Sequence, residues 1–247
     1  MPSSETLQSN EMPQQQRTLS AADLSKLGAL DTCSVSNAIE RLSVRPRNEG
    51  FVHGALECRF PYLSPMVGYA ATARIRTSEA PMDGTACYYD RMDWWTYVTS
   101  IPGPRVMVLE DVDERPGFGA FVGEIHAAIG QALHCAGCVT NGAVRDLPAV
   151  GARGFQLFSG SVAVSHAYAH IVEFGQPVEI GGTRFHSGDL IHGDCHGVQR
   201  IPSEIADEVP GEVFRMRVAE RELIDFCVSP RFSLDGLAQR FRRENGQ

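Results

Sequence analysis

The sequence predicts an α/β fold in which a central sheet is flanked by helices. The apolar run RVMVLED (105–111) is typical of a buried parallel strand, and a glycine-rich bend and a helical pattern follow it. This order is a β-loop-α unit. Residues 155–202 are rich in strand patterns, which adds a second β-rich segment to the same chain. With 43% hydrophobic residues in 247, the chain can bury one sizeable core.

The first elements are predicted from composition and periodicity. Residues 1–17 are polar and rich in Gln and Ser, so we expect a disordered lead-in, with residues 18–247 forming a single domain. Residues 19–30 and 31–42 have the pattern of two short helices, the second begun by Asp31, Thr32 or Ser34. YAATARIRT (69–77) alternates like a strand, and residues 82–101 favour a helix.

The central elements follow the same reasoning. We expect a helix over 124–135 with its apolar residues on one face, a strand at GCVT (137–140) and a short helix after Asp146 with Pro148 in its first turn. That helical face would carry Ile125, Ala128, Ile129 and Ala132. Asn141-Gly142 indicates a turn between strand and helix.

The last elements complete the sheet and add a helical extension. GFQLFSGSV (154–162) predicts a third strand, residues 176–185 a hairpin about Gly181-Gly182, and residues 188–202 a further strand interrupted by glycines. A helical extension should begin near Ser203, break at Pro230 and resume at Leu234.

Charge and composition disfavour several classes of partner. The formal net charge of −8 would repel a phosphate backbone, so we do not expect nucleic acid to bind. No run approaches the roughly 20 apolar residues of a membrane span, and the N-terminus lacks a secretory pattern, which predicts a cytoplasmic protein without membrane attachment. Seven scattered cysteines do not resemble a disulfide framework and predict reduced thiols.

Two motifs suggest a zinc or redox site and a dinucleotide site, but the predicted secondary structure around them disfavours both functions. Cys135 and Cys138 have the spacing of half a zinc site, with HGDCH (192–196) as the other half, or of a redox pair. However, Cys135 falls at a helix end and Cys138 inside a strand. GFGAFVG (117–123) is similar to a dinucleotide-binding glycine run, but five residues separate it from the preceding strand, where the tight turn should begin at once.

A third pattern joins GEIH (123–126) with NGAVRD (141–146). A glycine before a helix start leaves backbone N–H groups for an anion, and the planar fork of Arg145 could bind the same anion. Asp146 offers a hard oxygen ligand of the type that Mg²⁺ takes. Simpler roles stay open at this stage: Asp146 as a helix N-cap, Arg145 as a surface ion-pair partner and Glu124 as a first-turn acid.

These residues resemble a known family. A glycine and an acid at a helix start, followed by a strand and G-x-V-x-x-G-x-x-R-D (137–146), are similar to the family that contains 4-hydroxy-4-methyl-2-oxoglutarate aldolase and the regulator of ribonuclease activity A. The similarity extends over roughly residues 20–238. The spacing of 22 positions between Gly123 and Arg145 also agrees with it.

The resemblance implies a class II, metal-dependent aldolase or decarboxylase of small 2-oxo acids on a swivelling β/β/α fold of the phosphohistidine-domain type. It implies that Arg145 and the backbone of Gly123, Glu124, Ile125 and His126 hold pyruvate, and that Asp146 binds Mg²⁺ or Mn²⁺. Glu124 corresponds to an acid that orients metal-bound water, and Glu222 is our choice for a glutamate contributed by a neighbouring subunit. Family members form homotrimers or hexamers. His126 stands where the family usually has an aliphatic residue.

The chemistry supports the same hypothesis. Cleaving a bond next to a 2-oxo acid leaves an enolate, which needs a Schiff base or a metal for stabilisation. The single lysine, Lys26, precedes the sheet and is poorly placed for a Schiff base. We therefore expect aldol cleavage to pyruvate, oxaloacetate decarboxylation, or both. The alternative is a regulatory member of the family that binds a ribonuclease and has no catalytic activity.

Overall fold

The computed structural model describes residues 18–54, 56–81 and 90–244. The predicted lead-in (1–17) and the beginning of the predicted helix at 82–101 lie outside the described residues. The remainder of that helix is observed from Met92 to Ser100.

The secondary structure alternates between strands and helices along most of the chain. The helices are α1 (Ala21–Gly28), α2 (Thr32–Leu42), α3 (Met92–Ser100), α4 (Glu124–Ala132), α5 (Leu147–Ala152), α6 (Val209–Cys227) and α7 (Leu234–Glu244). The strands are β1 (Glu57–Cys58), β2 (Met66–Arg76), β3 (Arg105–Asp111), β4 (Ala120–Val122), β5 (Cys135–Val144), β6 (Gln156–Val162), β7 (His170–Phe174), β8 (Val178–Ile180), β9 (Thr183–Phe185), β10 (Leu190–Asp194) and β11 (Gly197–Ile201).

Within the described ranges, nine strands form one sheet. Its order is β1-β6-β5-β3-β2-β10-β11, with β4 paired to β5 and β7 paired to β2, while β8 and β9 form a separate hairpin. The central pairs β2–β3, β3–β5 and β5–β6 are parallel, and the outer pairs are antiparallel. The predicted α/β fold with a central, helix-flanked sheet is confirmed. None of the helices in these ranges has both the length and the apolar character needed to cross a bilayer.

Apolar side chains fill both faces of the central strands, which explains their nearly continuous hydrophobic sequences. On one face, Trp94 of α3 and Phe155 pack in a cluster with Leu109 of β3. Elsewhere, α1, α2 and α6 cover β2, β10 and β11 with a second cluster that includes Leu27 and Ile39. Burial of this apolar surface is the main stabilising contribution to the fold.

Several predicted boundaries are confirmed closely. Asp31 caps α2, since its carboxylate accepts a hydrogen bond from the Ser34 amide at 2.7 Å. The hairpin between β8 and β9 turns at Gly181 and Gly182, whose φ angles of 53° and 74° favour glycine. The helix break near Pro230 and the restart at Leu234 also agree with the prediction.

The predicted turn at Asn141-Gly142 is wrong, because β5 continues through both residues. The pairing of β5 with β6 changes register between Thr140 and Ala143, so one extra residue is accommodated as a bulge. At the bulge, the Asn141 side chain pairs with the backbone of β3. Its Oδ1 accepts a hydrogen bond from Asp111 N at 2.7 Å and its Nδ2 donates one to Asp111 O at 2.9 Å, which is the pattern that a backbone amide makes in a sheet.

The observed helix α4 is shorter than the predicted helix at 124–135, and it buries a different face. It ends at Ala132, because His134 takes a left-handed φ of 57° and β5 begins at Cys135. Its buried residues are His126, Ala127 and Gly130, whereas Ile125 is 54% exposed. The three-residue strand β4, hidden in the glycine-rich bend, was not predicted.

Two boundaries in the last third also differ. Residues 188–202 form a hairpin, β10 and β11, that turns at Cys195 and His196. The C-terminal helix begins at Val209 with Pro210 in its first turn, later than Ser203.

Candidate functional site

The candidate site lies where two neighbouring strands end. β4 and β5 are parallel, with Val122 opposite Val144, and the Arg145 amide donates to the Val122 carbonyl at 2.9 Å. Parallel strands end at the same edge, so the residues that follow them emerge side by side. This pairing brings Gly123 and Glu124 next to Arg145 and Asp146.

Gly123 permits an unusually close approach of these two segments. A Cβ at this position would lie 2.5 Å from Asp146 Oδ2 and 3.0 Å from Arg145 Cγ. The Glu124 amide donates to Asp146 Oδ2 at 3.1 Å. Asp146 therefore caps the start of α4 from across the sheet edge, and any side chain at 123 would displace it.

Asp146 has a backbone conformation that few residues adopt. Its φ of 56° and ψ of 34° lie in the left-handed region, which aspartate tolerates better than most residues. It precedes α5, but its side chain makes no capping hydrogen bond to that helix. Its Oδ2 instead lies 3.4 Å from Arg145 Nε, so an acid and a guanidinium converge on the first turn of α4.

Glu124 has a partner that sequence reasoning missed. Its Oε1 lies 3.0 Å from Nη2 of Arg153, which follows the last residue of α5. Both side chains are partly exposed. The ion pair joins the ends of two helices across 29 positions, and no local pattern in the sequence marks it.

The remaining predicted site residues, Ile125, His126 and Glu222, differ in how far their side chains are buried. Ile125 points to the surface in the first turn of α4, whereas the His126 side chain is 1% exposed and packs against Phe121 and Trp95, with ring centroids 4.8 and 5.9 Å away. Only the backbone of His126 thus lies along the first turn of the helix. Glu222 is exposed on α6, which packs against α1 and α2.

The alternative zinc site is not assembled as the sequence suggested. Burial raises the pKa of the Cys135 thiol to about 11 and raises that of Cys138 further, which opposes the thiolate that metals and redox chemistry need. In the part of the chain that the structure describes, one group of three possible ligands lies within reach of a common ion. It comprises Asp194, Cys195 and His196, and contains neither Cys135 nor Cys138.

The glycine run at 117–123 packs against protein. The Gly117 amide donates to the buried Asp111 carboxylate at 2.8 Å, and a Cβ at Gly119 would lie 2.6 Å from the His166 carbonyl. Burial raises the pKa of Asp111, although the amides of Gly117 and Asp113 oppose that rise. These contacts fix the loop that leads into β4 and leave the glycines little room to approach a dinucleotide.

Comparison with known protein families identifies one family. A family model described as RraA-like, Aldolase/RraA, matches residues 32–199, more than half of the chain. Protein DlpA of Legionella pneumophila is 23% identical over 228 residues, which cover 90% of this chain and 33% of that protein. A Halalkalibacterium halodurans protein named "Putative 4-hydroxy-4-methyl-2-oxoglutarate aldolase" is 34% identical over 84 residues, 34% of this chain and 40% of that protein. The matched regions thus cover less than half the length of either relative.

A solved structure shows the same fold. Streptomyces coelicolor RraAS2, described as an unusual member of the RNase ES inhibitor RraA protein family, superposes with a TM-score of 0.64 at 18% identity. The match covers 83% of this chain and 96% of that one. The swivelling fold that the resemblance implied is therefore the observed architecture.

Proposed function

This chain belongs to the RraA-like family, described as Aldolase/RraA, and from that premise we propose that it is a divalent-metal-dependent lyase of small 2-oxo acids. The reaction would be aldol cleavage of 4-hydroxy-4-methyl-2-oxoglutarate or a similar substrate to pyruvate, oxaloacetate decarboxylation, or both. The observation that carries the proposal is the convergence of Arg145 and Asp146 on the glycine-led first turn of α4.

The substrate carboxylate would bind between Arg145 and this first turn. The first amides of a helix have no intrahelical acceptor, and the helix dipole favours an anion there. Gly123, Glu124, Ile125 and His126 would contribute backbone at this end of α4, while the Arg145 guanidinium would form charge-assisted hydrogen bonds. His126 would act through its backbone alone, since its imidazole is buried.

Asp146 fits the requirements of a Mg²⁺ or Mn²⁺ ligand. Its Oδ2 is oriented by the Glu124 amide, and within the described residues its Oδ1 takes part in no hydrogen bond. Its side chain is partly exposed, which leaves space for the waters that Mg²⁺ usually retains. When bound there, the cation would polarise the 2-oxo group and offset the charge of the developing enolate.

Glu124 would hold and transfer the proton. Arg153 keeps its carboxylate at the start of α4, within the same sheet edge as Arg145. Because Glu124 is partly exposed, an ordered water could relay a proton between it and the substrate. Glu222 of a neighbouring subunit would supply a second acid.

We propose a homotrimer or hexamer with the site between subunits, acting in the cytoplasm. Several large apolar side chains of α6 and of the segment that follows it are exposed, as expected of surfaces that contact another protein. They include Phe214, Val228 and Leu234.

The test is pyruvate release from oxaloacetate and from 4-hydroxy-4-methyl-2-oxoglutarate, with Mg²⁺ and with a chelator, corrected for the metal-only background. Chelation should abolish turnover, and Asp146→Ala should lower kcat/KM by about a hundredfold or more. Asp235→Ala, in the exposed first turn of α7, is the matched control and should retain activity. Full turnover by a folded Asp146→Ala variant would refute the proposal.

The second candidate is a regulatory protein that binds a ribonuclease. The exposed apolar side chains of the C-terminal helices favour it as much as they favour self-association. Recovery of a stoichiometric ribonuclease complex, together with no turnover of any 2-oxo acid, would support this candidate. Chelator-sensitive turnover would count against it.

A further inference from the structure

The turn between β10 and β11 carries three successive side chains that can bind metals. Asp194, Cys195 and His196 each offer one ligand atom, and these three atoms lie within 4.8 Å of one another. The group is separate in sequence and in secondary structure from the Asp146 site. It combines oxygen, sulfur and nitrogen donors, whereas Asp146 offers oxygen alone.

Two of the three separations between ligand atoms are close to those of a tetrahedral centre, and all three atoms lie within 4.8 Å of one another. His196 Nδ1 lies 3.5 Å from Cys195 Sγ and 3.1 Å from Asp194 Oδ1. With usual zinc bond lengths, neighbouring ligand atoms in a tetrahedron lie about 3.4 to 3.6 Å apart. The sulfur–nitrogen separation already matches, and the nitrogen–oxygen separation would need to open by roughly 0.3 Å.

The same contacts do not form a catalytic relay. In a Cys-His-Asp relay the thiol and the carboxylate face opposite nitrogens of the imidazole. Here both face Nδ1 of His196, which can donate only one proton. A cation between the three atoms would satisfy all of them at once.

The carboxylate of Asp194 is held in place before any ion binds. Its Oδ2 accepts from the Thr32 amide at 2.8 Å and its Oδ1 accepts from the His196 amide at 2.8 Å. Two further hydrogen bonds anchor Thr32 to this hairpin. One joins its hydroxyl to Nδ1 of His192 at 3.0 Å, and the other is donated by Gln199 Nε2 to its carbonyl at 2.8 Å. The first turn of α2, with the exposed Cys33 next to Thr32, is therefore fixed beside the cluster.

We propose that Asp194, Cys195 and His196 bind a borderline-soft divalent cation of the zinc type, with a fourth position open to solvent. Sulfur and imidazole donors select such an ion over Mg²⁺, which prefers oxygen. On binding, the Cys195 thiol loses its proton to solvent and forms the sulfur–metal bond. The ion would stabilise the turn that anchors the start of α2.

The experiment uses the full chain, freed of metal, with Zn²⁺ in competition with a chromophoric chelator and Co²⁺ as a spectroscopic probe. One equivalent should bind, and the Co²⁺ form should show thiolate-to-metal charge-transfer absorption. Cys195→Ser and His196→Asn should each weaken Zn²⁺ binding by about tenfold or more, and Cys195→Ser should remove the charge-transfer band. Cys227→Ser, which removes another exposed thiol, is the matched control and should behave as the unmodified chain.

Two results would overturn the proposal: no stoichiometric Zn²⁺ binding by the unmodified chain, or unchanged affinity in both Cys195→Ser and His196→Asn. Far-UV circular dichroism of each variant separates loss of the site from loss of the fold. The readout does not depend on turnover. Asp146→Ala should bind Zn²⁺ at the turn normally, so failure of this proposal and failure of the lyase proposal are distinguishable.

Discussion

Two aspartates in this protein make the same contact with different helices. Asp146, just after β5, accepts the amide of the first residue of α4 at 3.1 Å, and Asp194, the last residue of β10, accepts the amide of the first residue of α2 at 2.8 Å. Each caps a helix that is distant in sequence. In both cases a strand end is joined to a helix start by one carboxylate.

Their surroundings give the two carboxylates different chemistry. The Asp146 side chain is 39% exposed and lies beside a guanidinium, whereas the Asp194 side chain is 8% exposed and lies beside a thiol and an imidazole. The first arrangement suits a hydrated hard cation and an anionic substrate, and the second suits a softer ion. The shared contact positions the carboxylate, while its neighbours and its exposure determine what it can bind.

The strongest test of this comparison is Gly123→Ala. The new Cβ would meet Asp146 Oδ2 at 2.5 Å and push the carboxylate away from Arg145 and α4. Because displacements of about 1 Å can cost a hundredfold, we expect kcat/KM for pyruvate release to fall by roughly that factor. Gly211→Ala, on α6, has nothing nearer than 3.8 Å to its Cβ and is the control. Equal activity of the two variants would mean that the close approach at Gly123 is not needed.

A smaller effect, on the free energy of unfolding, is expected when the buried aspartate Asp194 is replaced. Asp194→Ala leaves the amides of Thr32 and His196 without their acceptor, so the free energy of unfolding should fall by about 1–3 kcal/mol in metal-free urea titrations. Asp146→Asn, which keeps a residue that tolerates the left-handed φ of 56°, should cost less, about 0.3–1 kcal/mol, since this partly exposed site loses only the charge that the helix start favours. The comparison fails if Asp146→Asn is the more destabilising substitution.

The smallest expected effect is a loss of stability at low pH. Burial alone would raise the pKa of Asp194, but hydrogen bonds from Thr32 and His196 outweigh it and lower the pKa below the ordinary value of 3.8. The ionised carboxylate therefore adds stability above pH 3.8, and this contribution disappears as the pH falls through the lowered pKa. The gap in unfolding free energy between the His196→Asn chain and the chain that carries both His196→Asn and Asp194→Asn, which removes the neighbouring imidazole, should be constant near neutrality and shrink below pH 3.8. A gap that widens on acidification would contradict this assignment.

The parts of the fold with local signals could be predicted from the sequence. The apolar run of β3 requires burial on both faces, and the glycine pair between β8 and β9 supplies the positive φ angles of a tight turn. The association of Gly123 with the Arg145-Asp146 step could be proposed because a glycine before a helix start and an arginine can bind the same anion, and because both motifs resemble the family. These features depend on a few adjacent residues.

The parts that could not be predicted depend on contacts between distant residues. Asn141 has the local pattern of a turn, yet its side chain pairs with Asp111, thirty positions earlier. Arg153 reaches Glu124 only because α4 and α5 pack together, and Asp194 reaches Thr32 across 162 positions. β4 has too few residues to show a period. His126 is buried between aromatic rings although its side chain is polar.

The bulge at Asn141-Gly142 takes up the extra residue of β5, so the residues that follow it stay in register with β6. Ala143 lies opposite Ser161 because one position between Thr140 and Ala143 is left outside the regular ladder. Side chains alternate between the two faces of a strand, so if the extra residue entered the ladder, every later residue of β5 would shift by one and the Arg145 side chain would turn toward the opposite layer. The two hydrogen bonds between the Asn141 side chain and the Asp111 backbone therefore help to fix the face of the sheet from which the guanidinium emerges.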